Sequence, residues 1–394
     1  MANSQAKKHL HMNFSHCPFL VRHICLAAFH LLLALVLLSS VLPSCKIANK
    51  ASNQSPERVT ETHVDTIKTP PHQEYHGEDV RGIYYWKTSF NLSERDREFL
   101  KEHEIEKIYM RLFDVVYDFD YDGDRKPVPQ ATIRFNDPLP EGVEIVPVVY
   151  ITLRAMERVC PDSDFSTDEF AYLLYKRIKA MAVGNGFSDF REVQLDCDWT
   201  ASTKDNFFSL CVALGDLFRE DGVLLSSTIR LHQLRFEPPP VDKGVLMLYN
   251  TGAFYKPDTK NSILDKADVE PYFSQPVEYD LPLSLAFPVF SWSLQFDKDG
   301  YFIRILHYDD FGSQFRHVGG YTYTYTFEDN EHCYDYIGEG DRIRHEAPDY
   351  SEIQSVKELV TSKICSPLCG NVIYHLDSLE LSRFTKEEID SILR

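Results

Sequence analysis

Alternating and helical-period apolar runs take turns along most of this chain. Apolar stretches of strand length occur at Gly82–Phe90, Lys107–Val116, Val143–Thr152, Glu192–Thr200, Val223–Leu231, Gly244–Asn250, Leu283–Phe290 and Asn371–Leu376. Between several of them the period changes to three and four. Ser93, with Asp96 three residues on, opens a helix that runs to about His103. Thr167 caps a long helix, and further helices are expected near Lys204–Arg219, over Ile353–Ile364 and from Phe384 to the C-terminus. The second and fifth crossovers lack a helical pattern, and the fifth carries Pro238-Pro239-Pro240. Eight strands in this order predict an α/β chain, a (β/α)8 TIM-like barrel. A doubly wound open sheet is the rival, although no glycine-rich phosphate loop follows any strand. Alternating aromatics at Tyr301–Tyr308 and Tyr321–Phe327 read as antiparallel strands, a β-rich insertion after strand seven over 296–350.

The N-terminal pattern is different. Leu26–Leu38 is an apolar run shorter than the roughly 20 residues of a membrane span, with Lys7, Lys8 and Arg22 before it. It ends in Leu42-Pro43-Ser44-Cys45. That ending resembles a bacterial lipoprotein signal over 1–44, in which Cys45 is lipidated. Residues 45–78 are polar, without periodicity, and read as a flexible tether. The folded barrel then spans 79–394. These features imply a lipid anchor in a bacterial membrane, on the periplasmic or surface side of the cell envelope. Such a site permits disulfides, with Cys365 pairing Cys369 or either meeting Cys333, whereas Cys197 and Cys211 suit the core.

Composition narrows the function. Forty-one basic against sixty acidic residues give a net charge of −19, which repels phosphate backbones and excludes nucleic acid as a partner in the absence of a basic patch. The chain carries 22 Tyr and 26 Phe, a tilt toward flat, weakly polar ligands such as sugars. Asp118, Asp120, Asp122 and Asp124 with Gly123 approach the spacing of a calcium loop. The twelfth position from Asp118 is Pro129 rather than glutamate, so a solvated acidic loop competes with a structural calcium site. No other cofactor is suggested.

The chemistry concentrates on strand four. Gln194, Asp196 and Asp198 share one face there, and Leu195, Cys197 and Trp199 the other. The apolar set suits packing under helices, which sends the acids into the lumen, where a carboxylate is costly unless paired or working. Partners for Asp196 are Arg111 or Arg230. Other strand ends add Asp114, Asp377 beside His375, and Glu237 on the loop after strand five. Arg230 and His232 share a face of strand five, and Trp86, Tyr150, Tyr249 and Trp292 offer rings for sugar stacking.

Leu195-Asp196-Cys197-Asp198-Trp199-Thr200 resembles the strand-four signature of the chitinase-like, family 18 glycoside hydrolases, whose core is D-x-D-x-E. Met247-Leu248-Tyr249-Asn250 resembles their strand-six M-x-Y-D. The resemblance implies a barrel with a sugar-binding mouth, in which Asp198 positions an N-acetyl group. Thr200 stands where that family has its acid, and Asn250 where it has aspartate. The chain is similar to uncharacterised lipoproteins of gut Bacteroides. Three functions follow: a glycoside hydrolase with Asp198 and a partner from Asp114, Glu237 or Asp377; a noncatalytic glycan-binding lipoprotein that has lost its acid; or a structural envelope lipoprotein.

Overall fold

The computed structural model describes residues 80–160, 165–306, 315–319, 324–327, 337–338 and 340–394. The expected signal segment, Cys45, the tether, and Cys333 lie outside the described residues. Eight parallel strands form the barrel: β1 (Val80–Tyr85), β2 (Lys107–Phe119), β3 (Glu144–Ile151), β4 (Glu192–Asp196), β5 (Leu224–Arg230), β6 (Lys243–Met247), β7 (Leu283–Pro288) and β8 (Leu368–Tyr374). Each pairs with the next in sequence. Ile83 of β1 lies opposite Ile108 of β2 on one side and Ile373 of β8 on the other, so the sheet closes on itself. An open, doubly wound sheet would leave β1 or its neighbours with a free edge, and closure rules it out.

The strand that departs most from its expected length is β2, which continues to Phe119. Asp114–Phe119 pairs antiparallel with Arg125–Gln130, and the two are joined by a turn in which Gly123 takes φ +86°. Pro127 and Pro129 sit on this added strand, where an edge position leaves their missing N–H groups without consequence. This hairpin fills the second crossover in place of a helix. It also absorbs the acidic run, since Asp120 accepts from the amides of Asp122 (3.0 Å) and Asp124 (2.8 Å) and pairs with Lys126. Among the described residues no group of three or more His, Cys, Asp or Glu is placed to hold a metal ion.

The helices follow local signals closely. Helix α1 (Glu94–Glu102) opens on a reciprocal capping box between Ser93 and Asp96. Helix α2 (Thr167–Asn185) is capped by Ser166, one residue earlier than expected, because the Ser166 hydroxyl reaches the Glu169 amide (3.2 Å) and Thr167 is buried. Helix α3 spans Lys204–Glu220. Helix α4 (Tyr350–Thr361) begins three residues before Ile353, since Asp349 caps the Glu352 amide. Helix α5 (Lys386–Leu393) has a Thr385–Glu388 capping box. The fifth crossover contains only a 3₁₀ turn at Leu231–Arg235.

After β7 the chain leaves the barrel to form a five-stranded antiparallel sheet, in the order Phe302–Leu306, Trp292–Phe296, Arg342–Glu346, Thr324–Phe327, Phe315–Gly319. It starts at Trp292, earlier than the expected boundary of 296. Cys365 is an exposed free thiol, so neither expected bridge from it is made, and Cys197 and Cys211 are buried free thiols.

Two apolar cores meet at the barrel wall. Leu195, Cys197 and Trp199 belong to the outer one, beneath the helices. Tyr84, Tyr109, Val148, Val245 and Val372 are among those that fill the lumen. At the lumen floor, fully buried Glu192 is met by Lys243 at 2.8 Å and Lys107 at 2.9 Å and accepts from Ser226 at 2.7 Å. Burial acts to raise the pKa of Glu192, and the two ammonium groups outweigh it, bringing it down to about 2. A carboxylate depressed in the fold stabilises above its unfolded pKa, and that stability is lost as pH falls from about 4.5 toward 2. Removing one cation leaves a buried charge under-compensated. Lys243→Met is therefore expected to lower stability by about 3 kcal/mol in urea denaturation at neutral pH. Adding Glu192→Gln should restore most of the loss.

Candidate functional site at the barrel mouth

Strand pleating carries Glu192, Gln194 and Asp196 up one inward face of β4. Gln194 accepts from the Tyr84 hydroxyl at 2.7 Å, and Asp196, 2% exposed, accepts from the Thr228 hydroxyl at 2.6 Å. Asp198 follows just past the end of β4, with its side chain 39% exposed. Across from both stands Arg230, the last residue of β5. Its Nε donates to Asp198 Oδ1, and its Nη2 lies 3.9 Å from Asp196 Oδ1. One guanidinium thus serves two stacked carboxylates, the lower sealed from water and the upper open to it.

The electrostatics follow from that stacking. Burial raises the Asp196 pKa, and the Asp198 charge adds to it. Arg230 and the Thr228 hydroxyl oppose them, and the balance lies at about 6. For Arg230, burial works against the charged form, but Asp198 and Asp196 outweigh it and hold the guanidinium above its ordinary pKa. Burial also pushes the Tyr150 hydroxyl up, reinforced by Asp198 and Asp196, which keeps it a neutral donor. Asp114 lies beside Tyr150 in register and 3.1 Å from Arg111. Burial raises its pKa and Arg111 opposes the rise.

Aromatic rings complete the mouth. Tyr249 is buried and stacks on Tyr374 with centroids 4.6 Å apart, while the Arg230 guanidinium lies 5.9 Å from its own ring. The Tyr249 hydroxyl has no hydrogen-bond partner among the described residues. Trp86 contacts Tyr374 at 5.9 Å and lies 5.7 Å beneath the Arg111 guanidinium. The line of rings continues from Tyr374 to Phe290 (5.6 Å), Trp292 (5.6 Å) and Phe254 (6.1 Å). Trp292 itself is anchored by its indole N–H to buried Glu346 at 2.7 Å, and marks where barrel gives way to insertion.

The structure therefore brings together Asp196, Asp198, Arg230, Tyr150, Tyr249, Trp86 and Asp114, and leaves other expected residues apart. Glu237 is exposed and paired with Lys204 at 2.5 Å, on the far side of the 3₁₀ turn that follows β5. Asp377 caps the short helix Ser378–Leu381 and pairs with Lys87 at 3.1 Å. Its neighbour His375 is driven down to about 4, by burial first and then by Lys87, and is neutral at pH 7. His232 stays within electrostatic reach of Asp198 and Arg230, with its ring turned toward the Trp199 carbonyl at 3.4 Å. Asn250 is exposed in a left-handed conformation, φ +54°. Thr200, at the position of the resembled acid, meets Ser202 at 2.9 Å in the turn before α3. Tyr374 escaped the sequence reading, although its two-residue spacing from lumen-filling Val372 marks it as inward-facing.

No family model and no curated protein matches the chain. Solved structures do, three of them at low identity to this chain. The C-terminal domain of a putative chitinase from Desulfitobacterium hafniense is similar over 80% of this chain and 99% of its own, with 10% identity and a TM-score of 0.47. A chitinase from Chromobacterium violaceum covers 80% of this chain and 100% of its own, at 13% identity and 0.45. The spore cortex-lytic enzyme SleL of Bacillus cereus covers 78% and 75%, at 14% identity and 0.43. The class defined by the strand pairing is a (β/α)8 barrel. What its mouth does rests on the residues above.

A carboxyl whose pKa is raised by folding binds its proton more tightly than the unfolded chain does. The resulting destabilisation is absent below pH 3.8, grows as pH rises to about 6, and is complete above that. Stability of the wild type should fall across this window relative to Asp196→Asn, which keeps an acceptor for Thr228. Urea midpoints at half-unit pH steps measure the difference, and parallel curves would show that Asp196 does not titrate there.

Proposed function

We propose that the barrel mouth binds a glycan without hydrolysing it. Glycoside hydrolysis as usually performed requires one protonated acid at the scissile oxygen and one carboxylate or substituting group. Here Thr200 occupies the position of the acid in the resembled motif. The open carboxylate, Asp198, accepts from the Arg230 guanidinium, and Asp114 faces Arg111. The observation that carries the reading is Arg230 locked onto Asp198 beside a run of aromatic rings. Such a surface supplies what sugar recognition needs: flat faces for C–H stacking and fixed polar groups for hydroxyls.

One observation favours the alternative, a hydrolase. Asp196 keeps a proton to about pH 6, within reach of acid work, but it lies buried beneath the Asp198–Arg230 pair. Attachment to a bacterial envelope through Cys45 belongs to the same proposal, supported by the apolar run, its basic flank and the Leu-Pro-Ser-Cys ending. Loss of metabolic acyl labelling in Cys45→Ala is the expected outcome, and retained labelling would remove the anchor.

Binding is tested by calorimetry of the protein against a panel of oligosaccharides. The wild type is expected to bind at least one of them. Trp86→Ala and Asp198→Asn should each weaken that affinity by about tenfold, equivalent to about 1.4 kcal/mol. Unchanged affinity in both variants would place the glycan elsewhere.

A further inference from the structure

A second cavity lies away from the mouth, on the outer flank of the barrel between the β2 hairpin and helix α2. Its volume is about 790 Å³. Phe113, Val115, Val128, Phe170 and Leu174 supply apolar walls, and Arg177 of α2 lines it as well. Phe119 and Leu173, also lining residues, are 56% and 46% exposed, which leaves the lip open and apolar.

Arg177 is unusual within this chain. Its guanidinium lies 4.8 Å from the Phe113 ring centroid, and one terminal nitrogen donates to the Thr132 hydroxyl at 2.8 Å. Its Nε is sealed from water and has no hydrogen-bond acceptor among the described residues. Among the described residues no carboxylate pairs with it, whereas Arg111, Arg191, Arg219, Arg230 and Arg344 each have one. Desolvation lowers its pKa, with no acidic neighbour among the described residues to offset the effect. Of the other charged lining residues, Lys126 and Asp120 neutralise each other, and Glu169 is exposed and makes no ion pair with Arg177. In a protein of net charge −19, a partly desolvated cation without an acid is an open electrostatic position.

We propose that this pocket binds an amphiphilic anion, a carboxylate on an apolar tail, with the head group on Arg177 and the tail against Phe113, Phe170 and Leu174. The volume falls within the ordinary range of ligand sites, roughly 300–1,000 Å³. The guanidinium fork suits a carboxylate, and the apolar walls suit an alkyl chain. This site is independent of the glycan reading, since none of its lining residues belongs to the mouth.

Calorimetry of the full chain with sodium decanoate, below its micelle concentration, tests the proposal. Decanoate is expected to bind, decyltrimethylammonium about tenfold more weakly or not at all, and Arg177→Met to weaken decanoate about tenfold, as loss of a charged hydrogen bond does. Leu173→Trp, placed on the exposed lip where folding is undisturbed, should fill the cavity and weaken decanoate too. No decanoate binding by the wild type overturns the proposal, as does equal affinity for the cationic analogue. Wild-type affinity in either folded variant does the same. Glycan affinity at the mouth should remain unchanged in both variants, so failure here leaves the mouth reading intact.

Discussion

Arg230 stands at the end of β5 with two carboxylates to serve, and the mouth is arranged around that constraint. Asp196 and Asp198 are brought to one face by strand pleating alone, one below the other. Without a cation between them, two acids this close to a low-dielectric lumen would not both ionise. Arg230 resolves the conflict unevenly. It contacts Asp198 directly and Asp196 only at longer range, and the buried acid, raised first by desolvation, keeps its proton to about pH 6. Tyr150, Tyr249 and Tyr374 gather around this pair with hydroxyls that burial keeps neutral.

The barrel beneath gives that arrangement its rigidity. Glu192 with its two lysines closes the floor, Gln194 with Tyr84 and Ser226 forms the next level, and Asp196 with Thr228 the one above. Each level is a hydrogen-bonded set whose members come from at least two strands, so the polar side chains that β4 sends into the lumen are paired from floor to mouth. The insertion sheet is tied in by a second buried acid. Glu346 accepts from the Trp292 indole, the Ser262 hydroxyl and amide, and Arg344, which fixes the aromatic line where it leaves the barrel. Function and stability therefore share the same polar columns.

Much of this was legible from the chain. The inward and outward split of strand four followed from a two-residue period, and Leu195, Cys197 and Trp199 lie in the outer core as that period requires. All eight barrel strands appear in the expected order, because each is a short apolar run bounded by turn chemistry. The Arg125–Gln130 strand was not legible, since Pro127 and Pro129 read as breakers and only an exposed edge makes them tolerable. Nor was the fate of Glu237. Its partner Lys204 lies 33 residues away, and no local pattern distinguishes a loop acid aimed at the mouth from one paired on the flank. The choice of Arg230 over Arg111 for Asp196 likewise depends on neighbouring strands rather than on spacing. Pairwise contacts across the barrel are what one-dimensional periodicity does not encode.

On the proposed reading, Arg230 holds the mouth in a binding rather than a hydrolytic state. Mass spectrometry of an oligosaccharide that binds, after prolonged incubation with protein at equimolar concentration, examines it directly at pH 5 and pH 7. An intact glycan is expected at both pH values. Cleavage by the wild type that disappears in Asp198→Asn would contradict it, and would make this mouth the site of a glycoside hydrolase.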